Sequence, residues 1–238
     1  MKHLLAVSAL LICSAVVSAD PIYSVKLDSL GAGADVTVQI IPVGSTSLQS
    51  FDAFAGVFNM TLNGQSFTTF CIDTSHEVTV GQTYSVEQEP VENGLTYGPQ
   101  MEYLYAKYVG SAVNNNTEAA ALQIALWDLV NGGQSLLTGS SFRYTNTSSP
   151  IYTEAVSFIN EALAYTPSGS GSLGDWEDAS VSGNALGRGQ SLIGPSTPGF
   201  NPNVIASPAP PAAVLAVSAF IALGVGGLVR RKLGMVAA

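Results

Sequence analysis

The residues best suited to covalent chemistry in this sequence of 238 residues are Cys71 and Gln123. Cys71 lies in an alternating segment, residues 66–73, and Gln123 lies near the centre of an almost wholly apolar segment, residues 114–133. A buried amide needs a hydrogen-bond partner or a chemical change. A thiolate held against a carboxamide in a dry pocket can displace ammonia and leave a thioester. The sequence therefore predicts that Cys71 is the partner of Gln123.

Cys71 has two other interpretations. It is the one cysteine outside residues 1–19, so an intramolecular disulfide framework is excluded and a buried, inert thiol is the common alternative. His76 would permit a Cys–His hydrolase, but no oxyanion-hole motif accompanies it.

The set Asp73, His76 and Glu77 matches no recognised metal-binding pattern, and neither do the carboxylates of residues 87–92. No metal or other cofactor is expected.

The elements that must position these residues begin with strands. Period-two alternation predicts strands at residues 22–27 and 35–40, separated by a glycine-rich turn at 31–33. Further strands are predicted at residues 54–62, 66–73 and 82–88. The dipeptide Asn63-Gly64 is a strong signal for a tight hairpin between two of them.

Helical spacing of apolar residues dominates the middle of the sequence. It predicts helices at residues 99–109, about 116–131 and 151–164, with Asn116 or Thr117 as the cap of the second. Residues 175–193 are ambiguous, although 190–193 could form a closing strand. Together these elements predict an α+β fold, with N-terminal antiparallel strands followed by a small helical bundle, in a single extracellular domain over residues 20–193.

The two ends of the chain have the composition of export and anchoring segments. Residues 1–19 have a basic start, an apolar run and small residues at their end, which predicts a signal peptide. Residues 194–211 are Pro-rich and predict a linker. Residues 212–229 contain no charge and predict a transmembrane helix, and the basic tail 230–238 should then remain cytoplasmic. The body of the protein is expected outside the cytoplasm.

Charge argues against one class of partner. Between residues 20 and 211 there are four cations against all seventeen carboxylates, a net charge of −13. Such a surface disfavours binding to nucleic acid and to anionic membranes.

Two segments together resemble a known family. Residues 70–73 read FCID, and residues 121–127 read ALQIALW. This pair resembles the thioester domain of bacterial surface adhesins, in which a strand supplies the thiol and a helix supplies the amide. The resemblance implies a cross-link between Cys71 and Gln123, with Trp127 packing close by. Asp73 and His76 are expected to be supporting residues, with His76 in the loop after the strand or as a hydrogen-bond donor near the thiol. The resemblance covers about residues 66–133, and it departs from the family at residue 122, where Leu replaces the usual Thr.

The C-terminal segment resembles a different signal. Pro208, Pro210, the apolar span and the pair Arg230-Arg231 are similar to the tail of PEP-CTERM proteins, which an exosortase processes. This chain has Ala209 where that signal has Glu, and six residues follow Lys232. The resemblance implies an exosortase-like sorting enzyme as a partner, whereas a plain membrane anchor would explain the same residues.

These resemblances lead to an expected function. They imply a secreted bacterial protein, anchored to the membrane or cell surface, that acts in adhesion or surface attachment. A thioester would acylate an amine on an extracellular polymer or on a protein of a host or neighbouring cell. The reaction occurs once per molecule, so the protein is not expected to be an enzyme. The alternative is a non-reactive structural or matrix protein with the same fold and a buried thiol at Cys71.

Overall fold

One long antiparallel sheet and three helices form the described part of the chain. The computed structural model describes residues 22–42, 44–74, 76–90, 95–167, 173–178 and 191–195, all within a unit that spans Asp20–Phe200. The strands are β1 Tyr23–Ile40, β2 Gln49–Leu62, β3 Gln65–Cys71, β4 Thr83–Pro90, β5 Phe142–Arg143, β6 Leu173–Asp178 and β7 Leu192–Pro195. The helices are α1 Gly98–Ala112, α2 Asn116–Val130 and α3 Pro150–Ala164.

The sheet curls back on itself. Its order is β2-β3-β7-β6-β4-β1-β5, and every pairing is antiparallel. Strand β1 also pairs with β2, which joins the two sides of the sheet. A curled sheet leaves fewer open edges and creates a concave interior that a helix can fill.

The predicted mixture of α and β structure with antiparallel strands is confirmed, but the predicted order of elements is wrong in part. Strands β5, β6 and β7 come between or after the helices and return to the sheet, and β7 inserts between β3 and β6. The possible closing strand at residues 190–193 is confirmed in part by β7, but the identity of its distant partner strands leaves no local signal in the sequence. Strand β7 also includes Gly194 and Pro195, which the sequence predicts as the start of the linker.

The predicted turn at residues 31–33 is wrong, because β1 runs through it as one strand. The pairing of β1 with β2 shifts register twice, between Leu27 and Ser29 and between Leu30 and Gly33, and the strand continues through both shifts. The buried side chains therefore change parity along the strand. They are Tyr23, Val25 and Leu27 before the shifts and Val36, Val38 and Ile40 after them.

Glycine is required where β1 and β2 approach each other most closely. A Cβ atom on Gly33 would lie 2.4 Å from the main-chain oxygen of Ala55, and one on Gly56 would lie 2.4 Å from that of Ala32. No side chain fits at these distances without a backbone shift, so the two glycines permit the bend of the sheet.

The predicted hairpin at Asn63-Gly64 is confirmed. Both residues have positive φ, 52° and 79°, as a type I′ turn requires. The turn sets the pairing of β2 with β3, in which Leu62 lies opposite Gln65. This pairing fixes where Cys71, the last residue of β3, lies in the sheet.

Helix α2 is the most buried element. Every residue from Ala119 to Leu129 is buried, because the helix packs against α1, α3 and the strands β1, β2 and β3. Its cap is Asn115, whose side chain accepts hydrogen bonds from the N–H groups of Thr117 and Glu118, so the predicted caps at 116 and 117 were one or two residues late. Ser149 caps α3 in a similar way.

Several predictions fall on residues outside the described part of the chain. They are the signal peptide 1–19, the linker after residue 195, the membrane segment 212–229 and the tail 230–238. Among the described residues, no helix has the length and apolar character needed to cross a bilayer.

Replacing Gly33 with Ala is expected to destabilise the fold by about 1–3 kcal/mol, because the new Cβ would press on the Ala55 carbonyl. The matched control is Gly110→Ala in α1, where no atom lies within 4 Å of the added Cβ and helix propensity favours Ala by up to about 1 kcal/mol. Urea denaturation measures both variants. Equal stability of Gly33→Ala and the unchanged protein would contradict the close approach of β1 and β2.

Candidate functional site

Cys71 lies at the end of β3, inside the protein. It is 0% exposed, and its register partner on the neighbouring strand β7 is Leu192. The N–H of Ile72 donates to the carbonyl of Ser191, so β7 continues to hold the chain just beyond the thiol. The end of β3 is thus fixed by a strand that comes about 120 residues later in the sequence.

Gln123 on α2 contacts the main chain of Cys71 through both ends of its carboxamide. Its Oε1 accepts a hydrogen bond from the N–H of Cys71 at 2.9 Å, and its Nε2 donates to the carbonyl oxygen of Cys71 at 2.5 Å. Gln123 is also 0% exposed. The structure therefore brings together the two residues singled out in the sequence, and it does so through the backbone of Cys71.

The sulfur of Cys71 is held by the turn that follows β3. Its Sγ donates to the carbonyl oxygen of Asp73 at 2.7 Å, and the N–H of Asp73 donates to Sγ at 3.3 Å. The sulfur therefore both donates and accepts a hydrogen bond with the main chain of one residue, which fixes its position. The turn thus holds the side chain of Cys71, while the Gln123 carboxamide holds the main chain of the same residue.

This arrangement has the parts of an acyl-transfer site. The N–H of Cys71 draws electron density from the Gln123 carbonyl, where negative charge would develop during attack on Cδ. Complete burial of both residues removes competing water and strengthens that interaction. The second hydrogen bond, from Nε2 to the Cys71 carbonyl, holds the amide in place.

His76 and Asp73 form a pair next to this turn. Nδ1 of His76 lies 2.5 Å from Oδ2 of Asp73, and both side chains are partly buried. A carboxylate at Nδ1 orients the imidazole ring and favours a proton on that nitrogen. Among the described residues, no group of three or more His, Cys, Asp or Glu could hold a metal ion.

A cavity of about 180 Å³ borders the pair. Its walls include Val38, Ile40 and Ala53 from β1 and β2, together with Trp127 from α2. Asp73, His76 and Glu77 contribute its polar side. A second and more open cavity, of about 270 Å³, lies against Ile72, Asp73 and Val130. Asp73 therefore lines both cavities.

Trp127 lies one helical turn after Gln123 and is 4% exposed. Its ring packs at a tilt against Phe142 of β5, with 6.1 Å between the centroids. Its indole N–H is buried and has no hydrogen-bond partner among the described residues. A buried donor without a partner carries a desolvation cost.

Sequence reasoning missed Asp128. This residue is 1% exposed, and its Oδ2 has no hydrogen-bond partner among the described residues. Burial raises the pKa of its carboxyl to about 7. The sequence does offer a signal for this residue: like Gln123, Asp128 is a polar residue within the apolar run of α2.

The sorting residues Pro208, Pro210, Arg230 and Arg231 lie outside the described residues.

The hydrogen bonds of Gln123 can be tested in a Cys71→Ala background, in which no thioester forms. Adding Gln123→Met removes the partners of two buried main-chain groups at little change in side-chain size. The expected loss of stability is about 2–4 kcal/mol by urea denaturation. The control is Gln65→Met at the exposed start of β3, which should change stability by less than about 0.5 kcal/mol. Similar effects of the two substitutions would show that Gln123 does not hold Cys71.

Asp128 should make stability depend on pH. Its carboxyl has an ordinary pKa of 3.8 in the unfolded chain, and burial raises its pKa to about 7 in the folded protein. Between these pH values the folded state holds a proton that the unfolded state has lost, so this contribution is full below about pH 4 and is lost as the pH rises through 7.

Asp128→Asn replaces the titratable carboxyl with a carboxamide that stays neutral at every pH in this range. Relative to the unchanged protein, the variant should therefore gain about 1–3 kcal/mol of stability between pH 4.5 and pH 7.5. Urea denaturation at both pH values measures the change, and Asp35→Asn on the exposed side of β1 is the control. A stability difference that stays constant with pH would contradict the raised pKa.

Comparison of the chain with protein-family models, with curated proteins and with solved structures finds no match. The geometry around Cys71 and Gln123 and the motifs that carry these two residues are therefore the basis of the proposed function.

Proposed function

We propose that this chain is a secreted bacterial surface protein whose Cys71 and Gln123 form an internal thioester that acylates an amine on its target. The observation that carries the proposal is the pair of hydrogen bonds between the Gln123 carboxamide and the main chain of Cys71, in a fully buried position. An amide is a poor acyl donor, so the reaction depends on close positioning and on exclusion of water.

The proposed reaction has two steps. In the first, Sγ of Cys71 attacks Cδ of Gln123, the C–N bond breaks, and the nitrogen leaves as ammonia with the thiol proton. In the second, an amine attacks the thioester carbonyl, the C–S bond breaks, and the thiol is restored. The product is an amide between residue 123 and the target. The site is consumed by this reaction, so the protein acts as a single-use cross-linker and not as an enzyme.

The proposed role is adhesion or surface attachment. The amine would belong to an extracellular polymer or to a protein on a host or neighbouring cell. Export by the predicted signal peptide 1–19 and retention by the segment 212–229 would place the domain outside the cytoplasm. An exosortase-like enzyme is the proposed partner at the tail, through Pro208, Pro210, Arg230 and Arg231. The net charge of −13 between residues 20 and 211, from four cations and seventeen carboxylates, supports an extracellular body that does not bind nucleic acid.

A non-reactive structural or matrix protein is the second candidate. Both ends of the Gln123 carboxamide already have partners, so the amide can be explained as a tie between α2 and β3 without any reaction. Leu122 favours this candidate too, because the adhesin family that the chain resembles usually has a hydroxyl at that position. The two candidates share a fold and differ in one covalent bond.

Intact mass spectrometry of the exported protein separates the two candidates. A thioester makes the mature chain lighter by one ammonia, and methylamine should then add to it and release a thiol. Cys71→Ser and Gln123→Glu should each have the unmodified mass of their own sequence and should not take up methylamine. The same spectrum shows whether Arg230 and Arg231 remain after export. An unmodified mass together with a titratable thiol at Cys71 would favour the structural candidate.

A further inference from the structure

We propose that residues 50–54 of β2 form a docking site for an extended basic peptide, which adds to the sheet as one more strand. We call these residues the β2 edge. The inference goes beyond the proposed function, because it requires neither the thioester nor access to Cys71 and Gln123. Addition of a strand is a general way in which proteins bind extended peptides at an open sheet edge.

Strand β2 continues well past the end of its pairing with β3. It pairs with β1 over nearly its whole length, whereas its pairing with β3 ends at Phe58 opposite Thr69. On the β3 side, residues 49–57 have no strand partner among the described residues. This half of β2 is therefore an open edge, and its residues 49–54, QSFDAF, include no Lys or Pro, two residues that often protect such edges.

The hairpin at Asn63-Gly64 determines which main-chain groups point to the open side. The residues that flank a two-residue turn form a hydrogen-bonded pair, and the direction of the N–H and C=O groups then alternates along each strand. Counted from Leu62, the groups of Ser50, Asp52 and Phe54 point away from β1. They are the donors and acceptors available to a further strand.

Hydrogen bonds on β3 agree with this alternation. Ile72 donates to Ser191 on the β7 side, so the main-chain groups of Cys71 point to the β2 side, where Gln123 binds both of them. Continued register would place Gly56 opposite Cys71. The Gln123 carboxamide thus occupies the place that the main chain of Gly56 would have in the ladder, and the positions beyond it are the β2 edge.

The chain that follows β3 does not cover the β2 edge. The cavity of about 180 Å³ is lined both by residues 51–53 of β2 and by Asp73 and Glu77, so a space separates the two segments. Within the part of the chain that the structure describes, no main-chain hydrogen bond links the β2 edge to a segment other than β1. Asp52 lines the cavity although its carboxylate accepts a hydrogen bond from Thr37 on the exposed face of the sheet, so the main chain of Asp52 borders the cavity.

The side chains beside the edge indicate the chemistry of the partner. Asp52 lies on the exposed face of the sheet, and Asp73 and Glu77 line the cavity. His76, the basic residue among those that line the cavity, is bound to Asp73. Phe51, which is 39% exposed, presents apolar surface on the other face. Successive side chains of an added strand would lie beside these two faces in turn, so a peptide of alternating basic and apolar residues matches the edge.

A second copy of this chain is a poorer match. Pairing of two β2 edges would bring Asp52 of both copies close together, and residues 20–211 carry a net charge of −13 from four cations and seventeen carboxylates. Like charges that meet across an interface weaken binding. The favoured occupant is therefore a cationic strand from another molecule.

Titration calorimetry of the full chain with capped peptides of alternating arginine and valine measures this binding. Arginine supplies the charge without a nucleophilic amine, so a thioester would not react with the peptide. Saturable binding of one peptide per chain is expected, and a peptide of alternating glutamate and valine should not bind. In hydrogen exchange of the complex, the fragment that contains residues 49–57 should gain protection, and fragments of α3 should not change.

Methylated peptides test whether the contact is a strand pairing. In an added strand, every second peptide N–H faces β2. Of two arginine–valine peptides methylated on alternate nitrogens, one should therefore lose its binding and the other should keep it. Equal effects of the two methylation patterns would overturn the proposal.

Two substitutions test the edge itself. Ser50→Pro removes an N–H that points to the open side and no hydrogen bond to β1, so it should weaken binding about two- to tenfold. Glu77→Gln should weaken binding about two- to fivefold, the range for an exposed ionic contact. The matched control is Glu154→Gln on α3, which should leave the affinity unchanged.

Three results would contradict the docking site. They are no saturable binding of the arginine–valine peptide, equal binding of the acidic peptide, and protection of residues 49–57 that rises with protein concentration in the absence of peptide. The last result would show that a second copy occupies the edge. None of these results changes the mass of the chain, so the proposed thioester stands or fails separately.

Discussion

The contact between the Gln123 carboxamide and the main chain of Cys71 determines how helix and sheet fit together. Leaving this amide without partners inside α2 would cost about 1–3 kcal/mol for each polar group. The end of β3 supplies one donor and one acceptor at the required spacing, so α2 has a strongly preferred position against the sheet. The apolar residues around Gln123 provide most of the burial, and the amide adds two directional contacts between α2 and the end of β3.

Burial of Cys71 and Gln123 has two opposite consequences for a thioester between them. A site that excludes water strengthens the N–H contact to the Gln123 carbonyl and protects a thioester from hydrolysis. It also keeps out the acceptor, so a reactive protein of this design needs a defined route to the bond. Asp73, in the turn after β3, holds the Cys71 sulfur with its main chain and lines two cavities.

Much of the fold was predictable where the signal is local. Asn63-Gly64 predicted its hairpin, and the apolar periodicity predicted three helices close to their true bounds. Gln123 could be singled out because a polar residue in an apolar helix requires an explanation. The continuity of β1 through Gly33 was not predictable in this way, because it depends on the close approach of Gly56 on another strand. The insertion of β7 beside Cys71 likewise depends on a pairing between residues far apart in sequence.

The central claim is that the contact between Cys71 and Gln123 becomes a covalent bond in the exported protein. A crystal structure at high resolution, from protein purified without added amines, tests it most directly. The account predicts continuous electron density from Sγ of Cys71 to Cδ of Gln123 and no density for Nε2. An intact carboxamide, with Oε1 on the N–H and Nε2 on the carbonyl of Cys71 and with separate density for the sulfur, would contradict it.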